Sequence, residues 1–166
     1  MRVETVRADP NGGVPNHPTL PAVIARGAVD GMDADAVRQA VEANGWGGTW
    51  VWTVYDYHHF HPDAHEALLV VAGRATLLLG GPEGTEVEAG AGDLIVLPAG
   101  HGHRLLRGAD GFRVVGGYPP GQESPEILRA GDMDMDEARR AVAAVPLPES
   151  DPVAGPDGPL MRVWRG

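Results

Sequence analysis

The sequence contains no cysteine and no lysine. The first absence excludes disulfides, thiolate metal sites and a cysteine nucleophile together. The second excludes Schiff-base chemistry: all 13 basic residues are arginine, so no side-chain amine exists to form the imine. Long apolar runs are missing as well, and none approaches the roughly 20 residues of a membrane span. The N-terminal MRVETVRADPNGG has no apolar stretch of the kind that opens a secretory signal. Positive charge is in deficit, with a net charge of −10. That balance argues against nucleic acid, whose phosphates select basic surfaces, and against anionic membranes. The expectation is a cytoplasmic protein whose partner is a small molecule or another copy of the chain. At 166 residues it is most simply one domain with a single core.

Glycine (24) and proline (15) are abundant, which favours short strands and tight turns over long helices. Two amphipathic helices are still predicted. One spans 33–44, with Asp33 as cap, Val37 and Val41 four apart and Gly45 as stop. The other spans 134–145, opening with acids and ending before Pro146. Between them the hydrophobic period is two. Strands are expected at 49–61, 66–73, 74–81, 85–90, 93–100, 103–108 and 112–119, with another at 20–29. That spacing predicts an all-β fold, a sandwich or barrel, flanked by two short helices. No motif repeats, so there is one barrel. Its core is 49–118, preceded by an arm with strand and helix (1–48) and followed by a helix and an extended, surface-hugging tail (119–166).

What the sequence does have is clustered histidine. Of seven, four fall in HHFHPDAHE (58–66), and His101 and His103 form a second group. In a strand, residues two apart share a face. His59 and His61 are such a pair, with Tyr57, Tyr55 and Thr53 continuing that face, while His58 and Phe60 point the other way. The chain turns through Pro62 and Asp63 and re-enters a strand at Glu66, so two imidazoles and a carboxylate converge. Neutral imidazole and ionised carboxylate are natural metal ligands. His65 is the alternative to Glu66, since alternation cannot aim both side chains inward. Pro98-Ala99-Gly100 is a tight turn that carries His103 back over the barrel mouth as a fourth ligand.

Two motifs give these residues a specific likeness. The first reads His59-Phe60-His61, four residues, Glu66, six residues, Gly73. The second reads Gly92, five residues, Pro98-Ala99-Gly100, two residues, His103. Both resemble the two motifs of the cupin superfamily, in order and on a strand-rich background. Arg107 stands where the second motif usually has asparagine, and no glycine precedes the first His-x-His between Tyr55 and His58. These departures touch turn geometry more than metal binding. DYHHFHPDAHE and the closing VPLPESDPVAGPDGPL resemble a group of small single-domain bacterial cupins of uncharacterised function. The resemblance implies a jelly-roll barrel with a metal held by His59, His61, Glu66 and His103. It also implies a homodimer that packs or exchanges strands, which would cover LPAVIARGAV and edge strands such as ATLLL.

Three histidines and a glutamate leave two positions free on a six-coordinate ion. That suits one divalent transition metal, Fe, Mn, Ni, Co or Cu, with Zn usually preferring a more closed shell. The expected activity is a small-molecule oxidoreductase of dioxygenase type acting on an enolate, a catechol-like ring or a small carbonyl acid. Glu66 would also accept a proton, assisted by Tyr57 or His101. The alternatives are a metal-dependent isomerase or lyase on a sugar or keto acid, and a non-catalytic binding module.

Overall fold

The computed structural model describes residues 2–166. Nine strands and three short helices run in the order β1 (Val3–Val6), β2 (Ala22–Ala25), α1 (Ala34–Ala43), β3 (Gly47–Trp52), β4 (His59–Phe60), β5 (Glu66–Leu79), β6 (Thr85–Gly90), β7 (Leu94–Leu97), β8 (His103–Tyr118), β9 (Leu128–Arg129), α2 (Met135–Ala143) and α3 (Pro159–Arg165). The strands make one curled antiparallel sheet in the order β1-β2-β7-β5-β8-β4-β9, with β3 also on β8 and β6 also on β5. This is the all-β jelly-roll expected from the sequence. No helix among the described residues is long and apolar enough to cross a membrane.

Two strands form the frame. β5 and β8 pair along nearly their whole length, from Ala67 opposite Gly117 to Leu79 opposite His103. The sequence suggested four strands here, split at Gly73 and near Gly111. Both glycines have positive φ (70° and 72°), as does Asp110 (56°), and the register shifts around Val70–Arg74. A bulge with a left-handed residue bends a ladder without ending it, so the punctuation marks bends. A Cβ on Gly73 would sit 2.5 Å from the Ala109 carbonyl oxygen, so close approach of backbone also requires glycine there.

Alternation along the strands separates two apolar faces. Ile24, Leu68, Val70, Ile95, Leu97 and Val114 fill the barrel interior. Their neighbours Val23, Ala25, Leu69, Leu94, Val96 and Val115 face outward, under Val37 and Val41 of α1 and Leu160, Met161 and Trp164 of α3. Burial on both faces is why LLVV in β5 and LIVL in β7 depart from the period of two expected of the strands. The helices start where the sequence placed them: Asp33 accepts from Ala36 N at 2.9 Å, and Asp134 from Glu137 N at 3.1 Å.

Three expectations are corrected. The segment 49–61 is not one strand: β3 ends at Trp52, and only His59 and Phe60 rejoin the sheet. The tail does not remain extended. Asp151, 1% exposed, accepts from Val153, Ala154 and Leu160 N, and the chain then forms a third helix whose Trp164 indole donates to the Pro21 carbonyl. Nor is ATLLL an edge, since it lies between β6 and β8, and β2 is paired on both sides by β1 and β7. The strands paired on one side only are β1, β3, β6 and β9.

Candidate metal centre

Glu66 is the first residue of β5, His103 the first of β8 and Tyr118 the last of β8. The β5–β8 ladder places Tyr118 beside Glu66, and curling of the sheet brings His103 to the same carboxylate from the far end. His61 enters from the turn between β4 and β5. His61 Nε2 lies 3.2 Å from Glu66 Oε2, and His103 Nε2 lies 3.1 Å from Glu66 Oε1. The ligand atoms of His61, Glu66 and His103 all fall within 4.8 Å of one another, with all three side chains buried. His59 is not part of that group; it pairs with His103 across β4 and β8, its ring centroid 4.0 Å from that of His103.

The other nitrogen of each imidazole is committed to the backbone. Nδ1 of His59 donates to the Tyr57 carbonyl (3.1 Å), that of His61 to Glu126 (2.7 Å) and that of His103 to His101 (3.1 Å). Such bonds fix the tautomer that leaves Nε2 bare, the usual support of a metal-ligating histidine. Two bare nitrogens then face two carboxylate oxygens at contact distance. His61 Nε2 and Glu66 Oε1 have no hydrogen-bond partner despite complete burial. Acceptors facing acceptors need a cation between them, either a proton or a metal. The donor set of imidazole and carboxylate fits a divalent transition metal.

Charge follows the same geometry. Burial works against charge on His61, but the Glu66 carboxylate and the Glu126 carbonyl hold its value above the ordinary one. Burial would raise Glu66, yet His61 and His103 hold it well below the usual carboxylate range. His59 is pushed down to about 3 by burial and by His103. Burial and the neighbouring Glu66 push the Tyr118 hydroxyl up.

Tyr118 donates to Glu66 Oε2 at 3.0 Å and accepts from the Trp50 indole at 2.9 Å. The sequence reading missed both residues. Their signal was the glycine pair before Tyr118, because a Cβ on Gly116 would run into the Trp50 ring that pairs across from it. Above the carboxylate lies a cavity of about 300 Å³, lined among others by Trp50, Trp52, Tyr55, His59 and Leu68.

The remaining candidates lie elsewhere. His65 is fully buried but turned away: its Nδ1 accepts from Ala99 N (2.8 Å), its Nε2 donates to the Pro146 carbonyl (3.1 Å), and its ring packs on Trp164. With both nitrogens engaged it has no lone pair for a metal. The side chains of Tyr57 and His101 do not line the cavity. Tyr57 stacks on Tyr55 under the Arg129 guanidinium, 3.9 Å from its ring centre, and His101 is buried. Their contribution to the site is through their carbonyls, each orienting the histidine two residues on.

Comparison with known proteins finds relatives of this chain. The cupin-domain family model matches residues 53–115. The chain is 32% identical to the uncharacterized protein YjlB of Bacillus subtilis over 154 residues, covering 93% of this chain and 92% of that one. Among solved structures, it is similar to the WlaRB TDP-quinovose 3,4-ketoisomerase of Campylobacter jejuni (TM-score 0.42, 12% identity, 55% of this chain and 73% of that chain). It is also similar to the acireductone dioxygenase of Bacillus anthracis, solved with cadmium in its active centre (TM-score 0.39, 21% identity, 56% and 63%). With both motifs on a jelly-roll and a relative alike over nearly its whole length, the chain belongs to the cupins, in the small bacterial group that includes YjlB.

Proposed function

We propose that this cupin is a metal-dependent small-molecule oxidoreductase of dioxygenase type, with His59, His61, Glu66 and His103 as the ligands. The observation that carries the reading is the buried Glu66 carboxylate facing two imidazole nitrogens that backbone carbonyls keep bare. When bound, an Fe, Mn, Ni, Co or Cu ion would supply Lewis acidity and one-electron chemistry towards O₂; zinc would supply the first alone. The chain's own residues do the rest. Among the described residues Glu66 is the only carboxylate lining the cavity, and it takes a proton from bound substrate. Tyr118, donating to Glu66, fixes which oxygen is free to do so. The apolar walls exclude water and orient the substrate.

The test is metal content by elemental mass spectrometry on untagged protein, followed by oxygen consumption across enolates, catechols and small carbonyl acids. Near-stoichiometric metal in wild type, loss of at least tenfold in His61→Ala, and substrate-dependent oxygen uptake are expected. No uptake by metal-loaded protein above that variant would overturn the oxidative reading. The Glu66–Tyr118 acid–base pair also suits an isomerase or lyase, which would keep its turnover under strict anaerobiosis.

We also propose a homodimer. β1 is paired only with β2 and leaves its outer edge open, with Val3 39% exposed. Light scattering at micromolar concentration should give twice the 17.4 kDa chain mass; a monomeric mass would sink this assignment.

A further inference from the structure

The cavity above Glu66 is small, about 300 Å³, at the low end of the roughly 300–1,000 Å³ typical of ligand sites. Its walls are Trp50, Trp52 and Tyr55, with Val54, Leu68 and Ile127 between them. No arginine lines it, and the chain has no lysine and a net charge of −10. The Arg129 guanidinium rests on Tyr57, outside the lining. Apart from His61, which faces Glu66 at 3.2 Å, a phosphate or dicarboxylate would therefore be desolvated beside Glu66 with no side-chain cation of its own.

Hydrogen-bonding groups are equally sparse. The Tyr118 hydroxyl and Trp50 indole are spent on Glu66 and on each other. Apart from the histidines and Glu66, the polar groups left on the wall are the hydroxyls of Thr53 and Tyr55 and the Trp52 indole N–H. A polyol would leave most of its hydroxyls without partners. At the mouth, Trp52 and Ile127 are 47% and 50% exposed, and Trp52 meets Tyr55 edge-on with ring centres 5.1 Å apart. These are surfaces that a flat ring would cover.

We infer that the cavity takes a small planar aromatic ring with oxygen atoms on one edge, the ring against Trp52 and Tyr55 and the oxygens towards His61, Glu66 and His103. The inference rests on the metal-centre reading above and names the substrate class for it, in preference to sugars, sugar phosphates and small diacids.

The experiment is calorimetric titration of 4-nitrocatechol, oxalate and glucose 6-phosphate into apo protein and into protein incubated with zinc, which performs no redox chemistry on the ring. Metal content is read on the same samples, and Trp52→Ala is run beside wild type. Expected is at least tenfold tighter binding of the nitrocatechol than of either comparator in both forms. Trp52→Ala should weaken the nitrocatechol at least tenfold and leave zinc content unchanged. Oxalate or glucose 6-phosphate binding as tightly as the ring, or an indifferent Trp52→Ala, would overturn the assignment. Absence of uptake by wild type of zinc, and of manganese, nickel and copper supplied in the same way, would instead defeat the metal-centre reading, while ring preference is still decided on the apo protein.

Discussion

Tyr118 holds one oxygen of Glu66 and is itself held by Trp50. Tyr118→Phe would remove both bonds at once, freeing the carboxylate to rotate and leaving the Trp50 N–H unpaired. Loss of such an outer partner typically costs about 10–100-fold in metal affinity. Chelator competition on the variant should show that loss with the fold retained; unchanged affinity would mean that His61 and His103 alone orient Glu66. At this scale the sequence was informative only where the chain crowds residues together. His61, Glu66 and His103, which the fold brings together, sit in two short motifs, whereas Tyr118 lies 52 residues from Glu66 and meets it only through strand register. His65 looked like a rival ligand because it adjoins Glu66. In the fold that same adjacency sends it to the opposite face, where it ties Ala99 to Pro146.

Among the elements, β8 sets a glycine against an aromatic ring. Gly116 lies opposite Trp50, and the indole occupies the space where a Cβ would stand. Gly116→Ala should displace that ring, break its bond to Tyr118 and destabilise the protein by about 1–3 kcal/mol, as overpacking generally does. Denaturant melts check the stability, and a loss of metal affinity smaller than that of Tyr118→Phe is expected alongside. Strand existence was legible from periodicity, but strand continuity was not, because a glycine that bends a ladder and one that ends it look alike in a sequence. The same limit applies to α3, whose seven residues are too few for a helical period to emerge from proline-rich surroundings. It is held by tertiary contacts: Leu160, Met161 and Trp164 dock on the outer face, Asp151 accepts from Leu160 N, and the Trp164 indole donates to the Pro21 carbonyl.

For the molecule as a whole, most of the buried histidines titrate in one direction. Burial pushes His17 and His65 down to about 4, and His59 and His101 to about 3. In the unfolded chain each regains a value near 6.5. Below that pH the unfolded state binds protons that the folded state refuses, so stability falls as pH falls from about 6.5 towards 4. His65 alone accounts for something on the order of 3 kcal/mol. His61, raised above its ordinary value, has the opposite sign: its contribution is present below the unfolded value and is lost as pH rises through the folded one. The four outnumber it. The thermal midpoint of metal-free protein should drop steadily between pH 6.5 and 4, and a flat profile would contradict burial of neutral imidazoles. The fold class was readable from composition and turn spacing. The sharing of each central strand between an interior and a covered outer face was not, since it depends on what α1 and α3 lie against.

His103 and Tyr118 are the two ends of β8, and both converge on the first residue of β5. The centre thus exists only while the longest ladder in the barrel is closed from end to end. An ion seated there would act as a latch, and its departure would report how often the barrel breathes. Isotope exchange of the bound metal should then keep pace with amide exchange in the middle of β5 and β8, turning a coordination site into a clock for the opening of the sheet.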